Sequence, residues 1–257
     1  MNIAVDPALS CDTIAVAIIG GGPYGLAAAA HLRAANVPIR IFGEAMSFWR
    51  ANMPSGMTLR SPWVGTHIAD PAHRYRLDDY YRQAGMDVPK LLPVENFIDY
   101  GLWFQQHVAP DLDTRAVTRV EALDGGFRLV LEDGDSMFAR RVVMATGLRR
   151  HEYRPAQFDG LPRALVSHSC EHTSYEGYRG QRVAVIGRGL SACGNLAHGR
   201  GHDGFAAVVG DQLGHFRGAP GFQREDAEAG QTPRLGSRFH DGRLTVCGKT
   251  QNPRLRG

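Results

Sequence analysis

Thr13-Ile14-Ala15-Val16-Ala17-Ile18-Ile19-Gly20-Gly21-Gly22-Pro23-Tyr24-Gly25-Leu26-Ala27-Ala28-Ala29-Ala30-His31-Leu32 is the stretch from which the rest of the chain is read. Its first seven residues form an apolar, β-branched run that ends at once in glycines, the pattern of a short strand entering a tight turn. Gly20, Gly22 and Gly25 then fit the spacing G-x-G-x-x-G. The first glycine permits the turn, the second lets main chain approach a pyrophosphate, and the third lets helix and strand pack closely. Pro23 suits a first helical turn, where no useful N–H donor is lost. The alanines that follow predict a helix whose amino end offers unpaired N–H groups and the positive end of its dipole to an anion.

Moving outward, Pro38-Ile39-Arg40-Ile41-Phe42 reads as a second strand, and Glu44 stands 19 residues beyond Gly25. A carboxylate there is placed to accept hydrogen bonds from both hydroxyls of a ribose. Strand, glycine turn, helix, strand and acid together predict an α/β fold with an adenine dinucleotide site. A second strand-glycine unit follows far downstream. Arg182-Val183-Ala184-Val185-Ile186 leads into Gly187-Arg188-Gly189-Leu190-Ser191-Ala192, which matches G-x-G-x-x-A. The two motifs lie 167 positions apart, too far for one βαβ unit, so the second opens a separate nucleotide-binding unit. Two dinucleotides on one chain suggest electron transfer between a nicotinamide and a flavin. The helix expected after Ala192 is interrupted by Gly194, Gly199, Gly201 and Gly204, each worth about 0.8–1 kcal/mol against alanine in a helix interior. If Ala206–Val209 is the next strand, Asp211 occupies the second ribose position.

Between the motifs, residues 76–84 and 95–108 carry helical periodicity. Val117–Leu123, Phe127–Leu131 and Phe138–Met144 are three strand candidates joined by Asp-Gly turns, a β-meander that closes in Ala145-Thr146-Gly147, small residues where a ligand or another backbone can come close. From Ser47 to Asp70 an irregular, aromatic-rich loop is expected, and such loops tend to carry function. A flat ring system could rest on it, or Trp49 and Trp63 could plug the core beneath it.

Composition bounds these readings. At 257 residues, 43% hydrophobic and 21% charged, the chain can bury a sizeable core. No apolar run approaches the roughly 18 residues of a membrane helix. The first thirteen residues carry no Lys or Arg and fit no leader peptide, so a cytoplasmic protein is expected. Cys11, Cys170, Cys193 and Cys247 are scattered, which argues against a disulfide scaffold, a metal site and a dithiol redox centre. The net charge of +3 arises wholly after residue 198, in a segment with 12 of the 31 glycines and no Ile, Met, Tyr or Trp. That composition predicts little core, and its singly spaced arginines without stacking aromatics argue against nucleic acid.

In motif order the chain resembles the two-dinucleotide flavoprotein monooxygenases, of the class B and amino acid N-hydroxylase kind. The resemblance rests on Gly20-x-Gly22-Pro23-x-Gly25, Glu44 followed by Phe48-Trp49, Ala145-Thr146-Gly147, and Gly187-x-Gly189-x-Ser191-Ala192, over residues 12–197. It implies a Rossmann-like FAD-binding domain, a parallel sheet plus β-meander, at 1–160. The start of an incomplete Rossmann-like NAD(P)-binding unit is implied at 161–198, and an atypical, poorly ordered Gly/Arg-rich tail at 199–257 gives the look of a truncated member. FAD would contact Gly20, Gly22, Pro23, Gly25, Glu44, Trp49, Val117 and Ala145–Gly147. NADPH or NADH would contact Gly187, Gly189, Ser191 and Ala192. Such proteins move one atom of molecular oxygen onto a small nucleophilic substrate, and Arg60 and His67 are the side-chain candidates for that chemistry. The class B spacing F-x-G-x-x-x-H is not met, since Phe158-Asp159-Gly160 is followed by His168 at a longer distance. Rival readings are an NAD(P)H-flavin oxidoreductase without oxygen insertion and a non-catalytic FAD-binding remnant. No membrane or nucleic-acid partner is expected, and no oligomeric state is assigned.

Overall fold

The apolar run becomes strand β1 (Thr13–Ile19), with Val16, Ala17, Ile18 and Ile19 all buried. A computed structural model describes residues 13–148, 160–162, 166–178, 182–186, 208–210, 216–218 and 242–246. Helix α1 (Pro23–Ala34) follows, burying Gly25, Leu26, Ala29 and Ala30 along one stripe, and then β2 (Ile39–Phe42). Because α1 carries the chain back over the sheet, β2 lies parallel to β1, with Ile18 opposite Ile41.

The expected helices are α3 (Leu77–Ala84) and α4 (Val94–Val108). The meander is β5 (Val117–Leu123), β6 (Gly126–Leu131) and β7 (Ser136–Met144). Strand β7 runs parallel to β1 on the side away from β2, so the five-stranded order is β2-β1-β7-β6-β5. One face buries Ala17, Ile19, Phe42, Leu129, Leu131 and Ala139, with Val117 and Val120 packed against them. Alternation turns Val16 and Ile18 to the other face, where α1 lies.

The loop expected between Ser47 and Asp70 is partly ordered by its own aromatics. Ser47–Asn52 forms a short helix, α2, Thr58–Leu59 pairs as β3 with β4 (Leu92–Pro93), and Trp63–Thr66 makes a 3-10 turn. Trp49 of α2 packs edge-on against Phe97 of α4 with ring centroids 4.7 Å apart, and burial of that kind stabilises a segment too short to be helical alone. Farther along, the buried Tyr100 hydroxyl donates to the Tyr75 carbonyl (2.8 Å) and accepts from the Ile68 N–H (3.1 Å), tying the loop to α4. Burial pushes the Tyr100 phenol well above its ordinary value.

The chain divides into two compact units, Met1–Ala51 with Thr58–Gly147, and Asn52–Met57 with Leu148–Gly257. In the second, β8 (Val166–His168), β9 (Arg182–Ile186), β10 (Val208–Gly210), β11 (Phe216–Gly218) and β12 (Gly242–Val246) form a sheet of order β11-β10-β9-β12-β8. Strands β8, β12, β9 and β10 are mutually parallel, and β11 is antiparallel to β10. Of the strand expected at Ala206–Val209, the described residues show β10 at Val208–Gly210, parallel to β9. Within 199–257 the described residues are those of β10, β11 and β12. Asn52 Nδ2 donates to the Cys170 carbonyl (3.0 Å) and the Ser55 N–H to the Thr173 carbonyl (2.9 Å), stitching 52–57 into this unit. Among the described residues no helix is long and apolar enough to cross a membrane.

Candidate dinucleotide site

The motif glycines are held under different constraints. Gly20 has φ +119°, a conformation L side chains rarely adopt, and a Cβ there would lie 2.2 Å from the Ala145 carbonyl oxygen. At Gly25 a Cβ would meet the Gly20 carbonyl oxygen at 1.8 Å, so this glycine sets how closely α1 sits on the turn. Gly22 is unlike both: its backbone is ordinary extended chain, and a Cβ there meets no described residue within 4 Å. Among the described residues no packing demand requires glycine here, and the position leaves bare main chain open to approach.

The surroundings suit an anion. Gly22 caps α1, Pro23 is in its first turn, no side chain caps this end, and no acid stands in the first turn to neutralise the dipole. Tyr24 beside it is 86% exposed. Strand β7 ends against the same turn, where the Ala145 N–H donates to the Ile19 carbonyl (2.8 Å), and Thr146 and Gly147 (φ +70°) follow it exposed. The first motif and Ala145–Gly147, far apart in sequence, therefore meet at the carboxyl edge of β1 and β7, where open α/β sheets bind ligands.

Glu44 leaves β2 through Gly43, which has φ +97°. Its carboxylate is exposed and paired with Arg50 of α2 at 2.7 Å. Gly21 is a constraint that the motif spacing does not reveal: a Cβ on it would lie 2.9 Å from the Gly43 carbonyl oxygen and 3.0 Å from that of Glu44. The Met46 N–H also donates to the Gly21 carbonyl at 3.0 Å. The glycine turn and the acid-bearing turn are thereby in direct contact. Arg50 was equally hidden, since a basic residue six positions past an acid has no significance until α2 folds it back. The candidate residues fit the adenosine diphosphate half of a dinucleotide: an open main-chain cradle, a helix amino end and a carboxylate beside them.

Other candidates stand apart from this cradle. Val117 opens β5 and packs in the sheet core. Trp49 is half-buried against Phe97. Arg60 is exposed. His67 Nδ1 accepts the N–H of Leu77, the first residue of α3 (3.2 Å), and its Nε2 lies 3.6 Å from Asp78. Burial holds the imidazole below its ordinary pKa, against the opposing pull of Asp78. Trp63, half-buried, donates from Nε1 to Asp78 (2.8 Å) and packs edge-on against the buried Tyr81. A cavity of about 580 Å³ lies against this loop, lined by His31, Trp63, His67, Asp70, Arg76 and Asp78. It borders the last turn of α1, the opposite end from Gly22. Gly187, Gly189, Ser191 and Ala192 of the second motif, and Asp211, lie outside the described residues.

Comparison with known proteins places these features in a family. The model for the pyridine nucleotide-disulphide oxidoreductases matches residues 14–197. The chain is 30% identical over 186 residues to an indole-3-pyruvate monooxygenase, YUCCA1, of Oryza sativa subsp. japonica, covering 69% of this chain and 42% of the relative. It is 27% identical over 199 residues to an FAD-dependent urate hydroxylase of Xanthomonas campestris pv. campestris, covering 70% and 41%. A solved flavin monooxygenase of Stenotrophomonas maltophilia, a doubly substituted form, matches with a TM-score of 0.64 at 28% identity, over 77% of this chain and 58% of that one. The chain spans about two fifths of the length of these curated relatives.

Proposed function

The chain belongs to the pyridine nucleotide-disulphide oxidoreductase family, and from that premise we propose that it holds FAD on its first glycine turn and works as an NAD(P)H-dependent monooxygenase. One oxygen atom from O2 would be placed on a small nucleophilic substrate. The observation that carries the binding half of this reading is Gly22, where among the described residues a side chain would meet open space, unlike Gly20 and Gly25 of the same motif. The similar proteins named as monooxygenases and hydroxylases favour oxygen insertion over simple reduction. The four cysteines include no closely spaced pair, which disfavours thiol–disulfide chemistry.

The residues divide the work by chemistry. Main chain at Gly20–Gly22 and the amino end of α1 would receive the pyrophosphate, with Pro23 setting the first helical turn. Glu44 would accept hydrogen bonds from the adenosine ribose. Ala145–Gly147, small and partly exposed, leave room beside the turn. When bound, FAD would take hydride from NADPH or NADH and activate molecular oxygen. Gly187, Gly189, Ser191 and Ala192, which follow β9 in sequence, would hold the nicotinamide nucleotide by the same main-chain logic. We place the protein in the cytoplasm.

Titrating the full chain with FAD tests this: saturable binding of one FAD per chain is expected, followed by bleaching of the flavin absorbance on anaerobic addition of NADPH. A chain that takes up no FAD sinks the reading. Binding without bleaching leaves a cofactor-binding remnant. NADPH oxidation that never yields an oxygenated product across soft nucleophiles such as amines and sulfides makes it a reductase.

A further inference from the structure

Arg115 sits in the connection between α4 and β5, outside every motif, yet it gathers three carboxylates. Its Nε and Nη2 donate to Asp113 Oδ1 (3.0 Å) and Oδ2 (2.7 Å), a two-pronged pair, and its Nη1 donates to Asp133 (2.6 Å) and Asp135 (2.8 Å) in the β6–β7 turn. Arg40 of β2 adds a bond to Asp113 Oδ2 at 3.2 Å while its guanidinium lies over the Phe42 ring. The Asp113 side chain is 12% exposed, so its own bonds to Arg115 and Arg40 are partly shielded from water, while Asp133 and Asp135 are exposed.

The main chain of the clamped aspartate does a separate job. The Asp113 N–H donates to the Ile41 carbonyl (2.9 Å), and the Asp113 carbonyl accepts the Gly43 N–H (2.8 Å). These bonds place Asp113 as an isolated parallel bridge beside Phe42, the last residue of β2. Gly43 is the positive-φ residue from which Glu44 emerges, and Gly21 lies against both. A glycine of that conformation has little torsional preference of its own, so the direction of residue 44 is set by what grips residue 43. The grip comes from Asp113. Arg115 fixes Asp113 by tying it to the β6–β7 turn.

We propose that Arg115 is a positioning residue for Glu44, holding it through Asp113 and Gly43 so that the protein selects a nucleotide whose ribose carries both hydroxyls. This rests on the dinucleotide reading above and adds a residue that no glycine motif contains.

The test is calorimetric titration of the full chain with ADP and with 2′-deoxy-ADP, for the unsubstituted protein and for Arg115→Gln, Arg115→Lys and Glu44→Gln. The unsubstituted protein is expected to prefer ADP by about ten-fold, in line with hydrogen bonds to a charged acceptor. Arg115→Gln should weaken ADP about ten-fold while moving 2′-deoxy-ADP less than two-fold, and Arg115→Lys should fall between. Adding Arg115→Gln to Glu44→Gln should cost no further ADP affinity. Should the glutamine variant not fold, Asp133→Asn with Asp135→Asn loosens the same clamp and should narrow the preference in the same direction. Equal weakening of both nucleotides, or no weakening of either, overturns the positioning role. Failure of the unsubstituted chain to bind ADP overturns the dinucleotide reading itself.

Discussion

Gly22 and Gly25 stand three positions apart and are glycine for opposite reasons, which makes them separable by experiment. Alanine at 25 drives a Cβ into the Gly20 carbonyl oxygen, 1.8 Å away. Backbone cannot yield as a side-chain end can, so Gly25→Ala is expected to destabilise by about 3 kcal/mol, the upper part of the overpacking range. Valine at 22 has an allowed backbone and meets no described residue, and loses only the better N-cap that glycine makes, about 1 kcal/mol. It should nonetheless weaken ADP at least ten-fold, because the methyls occupy the approach to the main chain. Urea unfolding and ADP titration of the two variants read these effects separately. His67 has a different signature. Its imidazole is held neutral by burial, with Nδ1 accepting from Leu77. The folded pKa is below the unfolded one, so this contribution is whole above pH 6.5 and is lost as pH falls through the lowered folded value. The difference in Tm between the unsubstituted protein and His67→Gln is expected to narrow from pH 7.5 to pH 5.5.

At the scale of elements, α4 is the strut under the glycine turn, and its own glycine shows how tightly it is set. A Cβ on Gly101 would lie 2.4 Å from Sδ of the fully buried Met46. Helix propensity favours alanine by about 0.8–1 kcal/mol, while overpacking a filled site costs about 1–3 kcal/mol. Met46 has no solvent-exposed room to retreat, so overpacking wins. Gly101→Ala should lose about 1 kcal/mol net, and Met46→Ala in the same chain should be less than additive by urea titration. The clamp between the α4–β5 connection and the sheet has a pH signature instead. Arg115 and Arg40 hold the Asp113 carboxyl down to about 2. Its stabilising contribution is therefore present above the unfolded value of 3.8 and lost as pH falls towards 2. Thermal melts of Asp113→Asn against the unsubstituted protein should differ most above pH 4 and converge below it.

For the whole molecule, ligand linkage offers the plainest measurement. ADP at a hundred times its Kd stabilises the folded state by about 2.7 kcal/mol, which for a domain of this size raises Tm by about 5–10 °C. Two compact units, each with its own five-stranded sheet, mean that this shift belongs to the unit carrying the first motif. Much of that unit can be read residue by residue: β1, α1, β2, the meander and the helices at 77–84 and 94–108 all follow from periodicity, turn glycines and a proline at a helix start, which act within a few neighbours. The same locality explains what escapes reading. Helix α2 depends on Trp49 meeting Phe97, and β12 is stranded by β8 and β9 on either side of it. Glycine spacing and the acid at 44 likewise predict a dinucleotide cradle, with a different role for each motif glycine, because strand, turn and helix are contiguous. Folding alone brings Ala145 against the Gly20 turn and the Asp113 carbonyl onto the Gly43 N–H. Those contacts join residues 125 positions apart (Gly20 and Ala145) and 70 apart (Gly43 and Asp113), set by strand order and register, and a pattern that extends only a few residues along a chain carries no information about them.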